Sequence, residues 1–177
     1  MSTFEQLETK TQDVLRDEFE DFYRGNFADL VWFLIRWGAR AEAEDAAQEA
    51  MKDAFRNWSS IHSAPRLWVR AAATRIVLRH RQKNKLLQNK LFFSCLADHV
   101  SYSSSALLVL EMLDTLPREQ REVMAWIIDG YEPGEIAAMT GQKPATVRSH
   151  ARHAREKLKA LHRQHIEAAG KEASDGP

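Results

Sequence analysis

Apolar residues in this chain recur at three- and four-residue steps in two separate stretches, and the segment between them has no such period. In the first stretch Phe19, Phe22, Tyr23, Phe27, Leu30, Val31, Leu34 and Ile35 make one stripe of an amphipathic helix, with Gly38 placed to stop it. A second helix is expected over about Glu42 to Trp58, with Ala43, Ala47, Met51, Ala54, Phe55 and Trp58 as its stripe. Pro65 suits the first turn of a third helix reaching about Lys85, in which Leu67, Trp68, Ala71, Ala72, Ile76 and Leu78 are candidates for burial. The pattern is lost over 86–105, where Ser101 to Ser105 reads as linker. It resumes at Ala106 and runs through Leu110, Leu113 and Leu116. Pro117 then opens a helix carrying Val123, Trp126 and Ile127, which Gly130 closes. A short helix from Pro133 to Thr140, a turn at Gly141 and a long helix from Pro144 to Arg163 complete the series. No strand-like alternation and no internal repeat occurs, and glycine and proline, 7 and 5 residues, are too few to break helices often. The expected fold is all-α: two small helical domains joined by a flexible linker. The boundaries expected are an extension over 1–16, a domain over 17–85, a linker over 86–106, a domain over 107–166 and a disordered tail over 167–177.

The formal net charge is zero, but charge is sorted along the chain. Residues 1–53 carry 13 acidic and 6 basic side chains, and 54–97 carry nine Lys or Arg and no carboxylate. Residues 98–141 are acidic again, eight against two, and 142–166 hold seven basic side chains against Glu156 alone. Solvated helix faces normally mix both signs. Two basic blocks set apart by acidic ones imply two separate contacts with a polyanion.

Other classes are poorly served by these residues. No apolar run reaches the roughly 18 residues of a membrane span, and the N-terminus lacks a basic-then-apolar leader, so no membrane contact is expected. Cys95 is the single cysteine, which suits a reducing, cytoplasmic setting. Cys95 and His99 have a spacing seen in zinc sites, but two ligands are not a site, so no metal or other cofactor is expected. Neither a phosphate-binding glycine loop nor a nucleophile–base pair is visible, and the chain is not expected to be an enzyme.

The most informative stretch is GYEPGEIAAMTGQKPATVRSHARHAREKLKAL. Ile136, Ala137 and Met139 give a short helix an apolar side, and Gly141 permits a tight turn. Val147, Ala151, Ala154 and Leu158 make one stripe of the next helix, and Arg148, Ser149, Arg152, His153 and Arg155 fall largely off it. That layout is a DNA-reading helix-turn-helix, whose second helix puts its N-terminal half against base edges in the major groove. Arginine there can make the bidentate contact to guanine.

Its company narrows the class. AEAEDAAQEAMKDAFRNW, PRLWVRAAATRIVLRHRQ, LDTLPREQREVMAWIIDGYEPGEIAAMTG and PATVRSHARHAREKL follow one another in this order. Over about 17–83 and 107–163 the chain resembles the extracytoplasmic-function sigma factors, the minimal group of the sigma-70 family. Two positions depart from that pattern: Arg75 stands where the family has Asn, and EPGE replaces the usual SxxE at the short helix. The family's Ser before the recognition helix is likewise Lys143.

The resemblance implies an alternative sigma factor that binds core RNA polymerase, recognises the −35 and −10 promoter elements and promotes melting. The first domain would correspond to sigma region 2 and the second to region 4. Core polymerase, through the largest-subunit coiled coil and the flap, and promoter DNA, duplex and single-stranded, are the implied partners. Many members of the family also have a dedicated anti-sigma protein. Carried over, Glu44, Asp45, Gln48 and Glu49 would dock on the polymerase coiled coil. Asn57, Ser59, Ser60, His62, Arg66, Arg70, Arg75 and Arg79 would serve the −10 element, a polar loop offering a pocket for an unstacked base and the arginines tracking phosphate. Trp68 could stack on a base, but its apolar neighbours point to core packing. Lys143, Thr146, Arg148, Ser149, Arg152, His153 and Arg155 would serve the −35 element. The alternative is a transcription regulator with the same helix-turn-helix and an N-terminal bundle that only dimerises. The acidic second helix separates them, since it would bind polymerase in one case and its own copy in the other.

Overall fold

The computed structural model describes residues 3–61, 63–85 and 104–174, and among these it has seven α-helices and no strand. The helices are α1 (Thr3–Trp37), α2 (Ala43–Arg56), α3 (Pro65–Lys85), α4 (Ser104–Asp114), α5 (Arg118–Ile128), α6 (Pro133–Thr140) and α7 (Pro144–Ser174). The chain is all-α, and α1–α3 and α4–α7 make two compact units.

In the first unit, α2 presents a seam of small side chains, with Ala43, Ala46, Ala47, Ala50 and Ala54 all buried. It packs on α3, whose buried side chains include Val69, Arg70, Ala73, Ile76 and Val77. Small side chains at such a seam allow two helices to pack closely. Leu30, Phe33 and Leu34 of α1 are fully buried, each worth roughly 1.5–3 kcal/mol of transfer free energy. Nearer its start, α1 carries an aromatic cluster: Phe19 lies 5.0 Å from Phe55 and 5.1 Å from Trp58 between ring centroids.

Periodicity located these helices but not their full lengths. α1 begins at Thr3, so it includes most of the stretch expected as an N-terminal extension. Residues Glu5 to Gln12 have no apolar stripe, and Glu5, Gln6, Leu7, Glu8, Lys10 and Gln12 favour helix by propensity rather than by period. α7 likewise continues past Arg163 to Ser174, so the polar segment from Glu167, expected as disordered tail, is helical that far. Ser104 and Ser105, expected in the linker, form the first turn of α4. Leu78, Phe55 and Met139 were expected inside and are 38%, 52% and 37% exposed. Leu78 lies just past the buried stretch of α3, next to exposed Arg79.

In the second unit Leu113, Leu116, Met124 and Ala154 form a core bordered by Ile127 and Leu158. Trp126 is 1% exposed and meets Tyr131 edge-on at 5.3 Å. Between α6 and α7, Gly141 has φ 69°, a left-handed conformation that glycine enters without penalty. At the start of α6, Pro133 takes the first helical position and the Glu135 carboxylate accepts a hydrogen bond from the Glu132 backbone N–H at 2.8 Å. This replaces the missing serine cap.

Candidate polymerase and nucleic-acid interfaces

On α2, Glu44, Asp45 and Gln48 are exposed, on the side away from the alanine seam. They form an acceptor-rich patch one turn long, a shape suited to a basic helix. Glu49 does not belong with them. Its carboxylate accepts from the Arg79 guanidinium, and its second oxygen lies 3.3 Å from His80 Nε2. Toward the start of α2, Glu42 is paired in the same way, with Arg81 Nε at 3.0 Å. Glu49 and Arg79, expected at polymerase and at phosphate, are thus paired with one another across α2 and α3 while both stay partly exposed.

Beyond α2 the chain turns tightly. Asn57 Nδ2 donates to the Asp53 carbonyl at 2.7 Å and so caps the helix end, which engages the amide expected to meet DNA. Trp58–Ser60 make a single 3-10 turn, and Ser60 Oγ donates to the Asn57 carbonyl at 2.8 Å. Ser59 and Ser60 stay exposed while Ile61 is buried and anchors the loop. His62 lies outside the described residues.

The arginines of α3 divide into two kinds. Arg66 and Arg75 are exposed, and Arg66 comes only to 4.0 Å of Asp29. Arg70 is 0% exposed, donates to the Arg66 carbonyl at 3.2 Å and lies 5.6 Å from the centre of the Phe33 ring. Its expected role on phosphate is corrected: a guanidinium sealed from solvent is part of the core. Trp68 is half-buried, in keeping with packing.

A groove that pattern reading missed lies beside the acidic patch. Phe19, Tyr23, Met51 and Phe55 line it, with Gln48, Lys52 and Arg56 at its rim, and it encloses about 530 Å³. Its signal was faint in the sequence, since Tyr23 and Phe55 sit within apolar stripes and read there as core.

In the second unit α6 and α7 form a helix-turn-helix. Val147, Ala151 and Ala154 are buried, whereas Lys143, Thr146, Arg148, Arg152, His153 and Arg155 are exposed and Ser149 is half-buried. Arg148, Arg152 and Arg155 recur at four and three residues, so one face carries them all. Arg152 is 3.5 Å from Glu156 and 3.0 Å from His153 Nε2, contacts between exposed groups that a phosphate or guanine could displace. Among the described residues no three His, Cys, Asp or Glu side chains gather as a metal site. Cys95 and His99 lie outside those residues. No helix among the described residues is long and apolar enough to cross a membrane.

Residues 106–158 match the family model "Sigma-70, region 4". No curated protein matches the chain. Among solved structures, it is similar to the sigma factor RpoE from Bartonella quintana, solved in complex with the anti-sigma factor NepR. The identity is 22%, over 82% of this chain and 97% of that one, at a TM-score of 0.66. It is similar also to CnrH, solved in complex with the cytosolic domain of CnrY, at 20% identity over 82% of this chain and 88% of that one, with a TM-score of 0.56. At these identities the likeness is one of fold. The chain thus shares its fold with these two solved structures, and its residues 106–158 are similar to sigma-70 region 4.

Proposed function

We infer that the chain is an alternative sigma factor of the extracytoplasmic-function type, which joins core RNA polymerase, recognises −35 and −10 elements and promotes melting. The observation that carries this reading is the region 4 match over a helix-turn-helix with an exposed arginine face, in one chain with a unit bearing an exposed acidic patch. A regulator that only bound DNA would need the first without the second.

In this reading Glu44, Asp45 and Gln48 of α2 dock on a basic helical element of polymerase. The exposed Ser59, Ser60, Arg66 and Arg75 hold the melted −10 strand. Lys143, Thr146, Arg148, Ser149, Arg152, His153 and Arg155 meet the −35 duplex. Its work is binding and positioning, with no reaction of its own. The solved relative RpoE is bound by an anti-sigma factor, and the aromatic groove next to Gln48 offers an amphipathic inhibitor helix a place from which to block polymerase.

The test is transcription in vitro with purified core polymerase on a genomic library, with start sites mapped. Start sites that depend on this chain and share a spaced pair of elements support the reading. Self-association without binding to core polymerase would replace it with a dimeric regulator.

A further inference from the structure

The helix that carries the −35 face is longer than the segment that resembles region 4. That match ends at Leu158, and α7 runs on to Ser174. Lys159 and Arg163 are exposed on the added stretch. They continue the three- and four-residue steps of Arg148, Arg152 and Arg155, so one basic face extends from Arg148 to Arg163. We propose that Lys159 and Arg163 form a phosphate-binding arm, which grips the duplex backbone beside the −35 element without reading its sequence. The proposal rests on the functional reading above and adds a contact outside the helix-turn-helix.

Length separates this arm from the base-reading half of the helix. At about 1.5 Å of rise per residue, Arg163 lies roughly 22 Å along the axis from Arg148. The major groove is only about 12 Å wide. With the N-terminal half of the helix against base edges, the far end passes out of the groove and over its phosphate wall. Cations there can neutralise phosphate but have no base edge within reach. Packing does not account for the charge, because past Leu158, which borders the core, none of residues 159–167 is buried. Among the described residues Lys159 and Arg163 have no ion-pair partner. Arg152, by contrast, lies 3.5 Å from Glu156, and Lys157 donates to the Thr115 carbonyl at the end of α4. The two cations of the arm therefore give up no contact when they meet a phosphate.

The experiment uses the full chain and duplex probes titrated across a salt series by fluorescence anisotropy. One duplex carries the preferred −35 element with a helical turn of flank on each side, and two others are trimmed to the element on one side or the other. On the flanked duplex, Lys159→Gln together with Arg163→Gln should lower the salt slope by about 1.8, at about 0.9 for each neutralised phosphate. The loss should be equal on the preferred and on a scrambled sequence. Lys159→Arg together with Arg163→Lys should keep the wild-type slope, since a phosphate accepts either cation. On one of the trimmed duplexes the difference between wild type and the Gln variant should vanish. An unchanged slope on the flanked duplex would overturn the proposal, and weaker joining of core polymerase beside it would assign these cations to an acidic protein surface. A loss confined to the preferred sequence would make them base contacts and overturn it as well. Failure of the wild type to bind any duplex at low salt is a separate result, which would overturn the functional reading and the arm with it.

Discussion

The Arg70 guanidinium sits 5.6 Å from the centre of the Phe33 ring with its residue 0% exposed, so a cation from the basic block lies in the hydrophobic core. A ring face attracts a cation, the more so without water between them. The Arg66 carbonyl receives one of its N–H groups at 3.2 Å. Arg70→Ala should therefore act on folding. It should cost on the order of 2–5 kcal/mol, the range for emptying a large buried site, measured by chemical denaturation. The salt slope of DNA binding should not change. A lower slope with unchanged stability would place Arg70 on phosphate after all.

The acidic patch yields the opposite expectation. Asp45 and Gln48 are both exposed on α2. Changing both to Ala should leave the denaturation midpoint within the roughly 0.5 kcal/mol scatter of surface substitutions. Binding to core polymerase should weaken by at least about 1 kcal/mol, the mark of a residue that matters in an interface. Co-purification with core at wild-type strength would remove these two from the interface.

The alanine seam of α2 should tolerate little growth. Ala47 is 0% exposed on the helix that packs against α3. Ala47→Leu should destabilise the first unit by about 1–3 kcal/mol, as overpacking does, read as a lower midpoint in denaturant. An unchanged midpoint would mean that the seam has room that the structure does not show.

These cases also show what the residues made legible. Helix number, the turn at Gly141 and the stripe of Val147, Ala151 and Ala154 follow from period and from glycine's freedom at positive φ. The burial of Arg70 is not legible in a basic block, because positions 69 to 74 of α3 are all buried and 75 is exposed, so the middle of the helix is covered on most sides rather than along one stripe. The contact between Glu49 and Arg79 is not legible for another reason. Their pairing depends on how α2 lies against α3, which no single-helix pattern encodes. The aromatic groove went unseen because Phe55 and Tyr23 look like core until neighbouring helices leave them uncovered.

Within the helix-turn-helix, Arg152 is the sharper test of specificity because it must give up Glu156 and His153 to reach DNA. Arg152→Ala should cost about 1–3 kcal/mol on the preferred −35 sequence if its contact is bidentate to a base. The loss should shrink on sequences altered at that base. An equal loss on every duplex would make it a phosphate contact.

The two arginine sets should separate by the state of the DNA. Arg75 is exposed on α3, the helix that follows the polar loop, whereas Arg148 is exposed on a helix whose opposite face is buried. Trapping a melted strand calls for cations next to a place for unstacked bases, and duplex readout calls for a helix that enters a groove without bending. In the full chain, Arg75→Gln should therefore weaken binding to a single-stranded −10 probe and spare a −35 duplex. Arg148→Gln should do the reverse. Each change should lower the salt slope of its own probe, by about 0.7 for the single strand and about 0.9 for the duplex, since each removes one neutralised phosphate. The measurement is fluorescence anisotropy on the two probes across a salt series. If Arg75→Gln weakens duplex and single strand alike, α3 offers only a general polyanion surface, and the assignment of melting to the first unit loses its support.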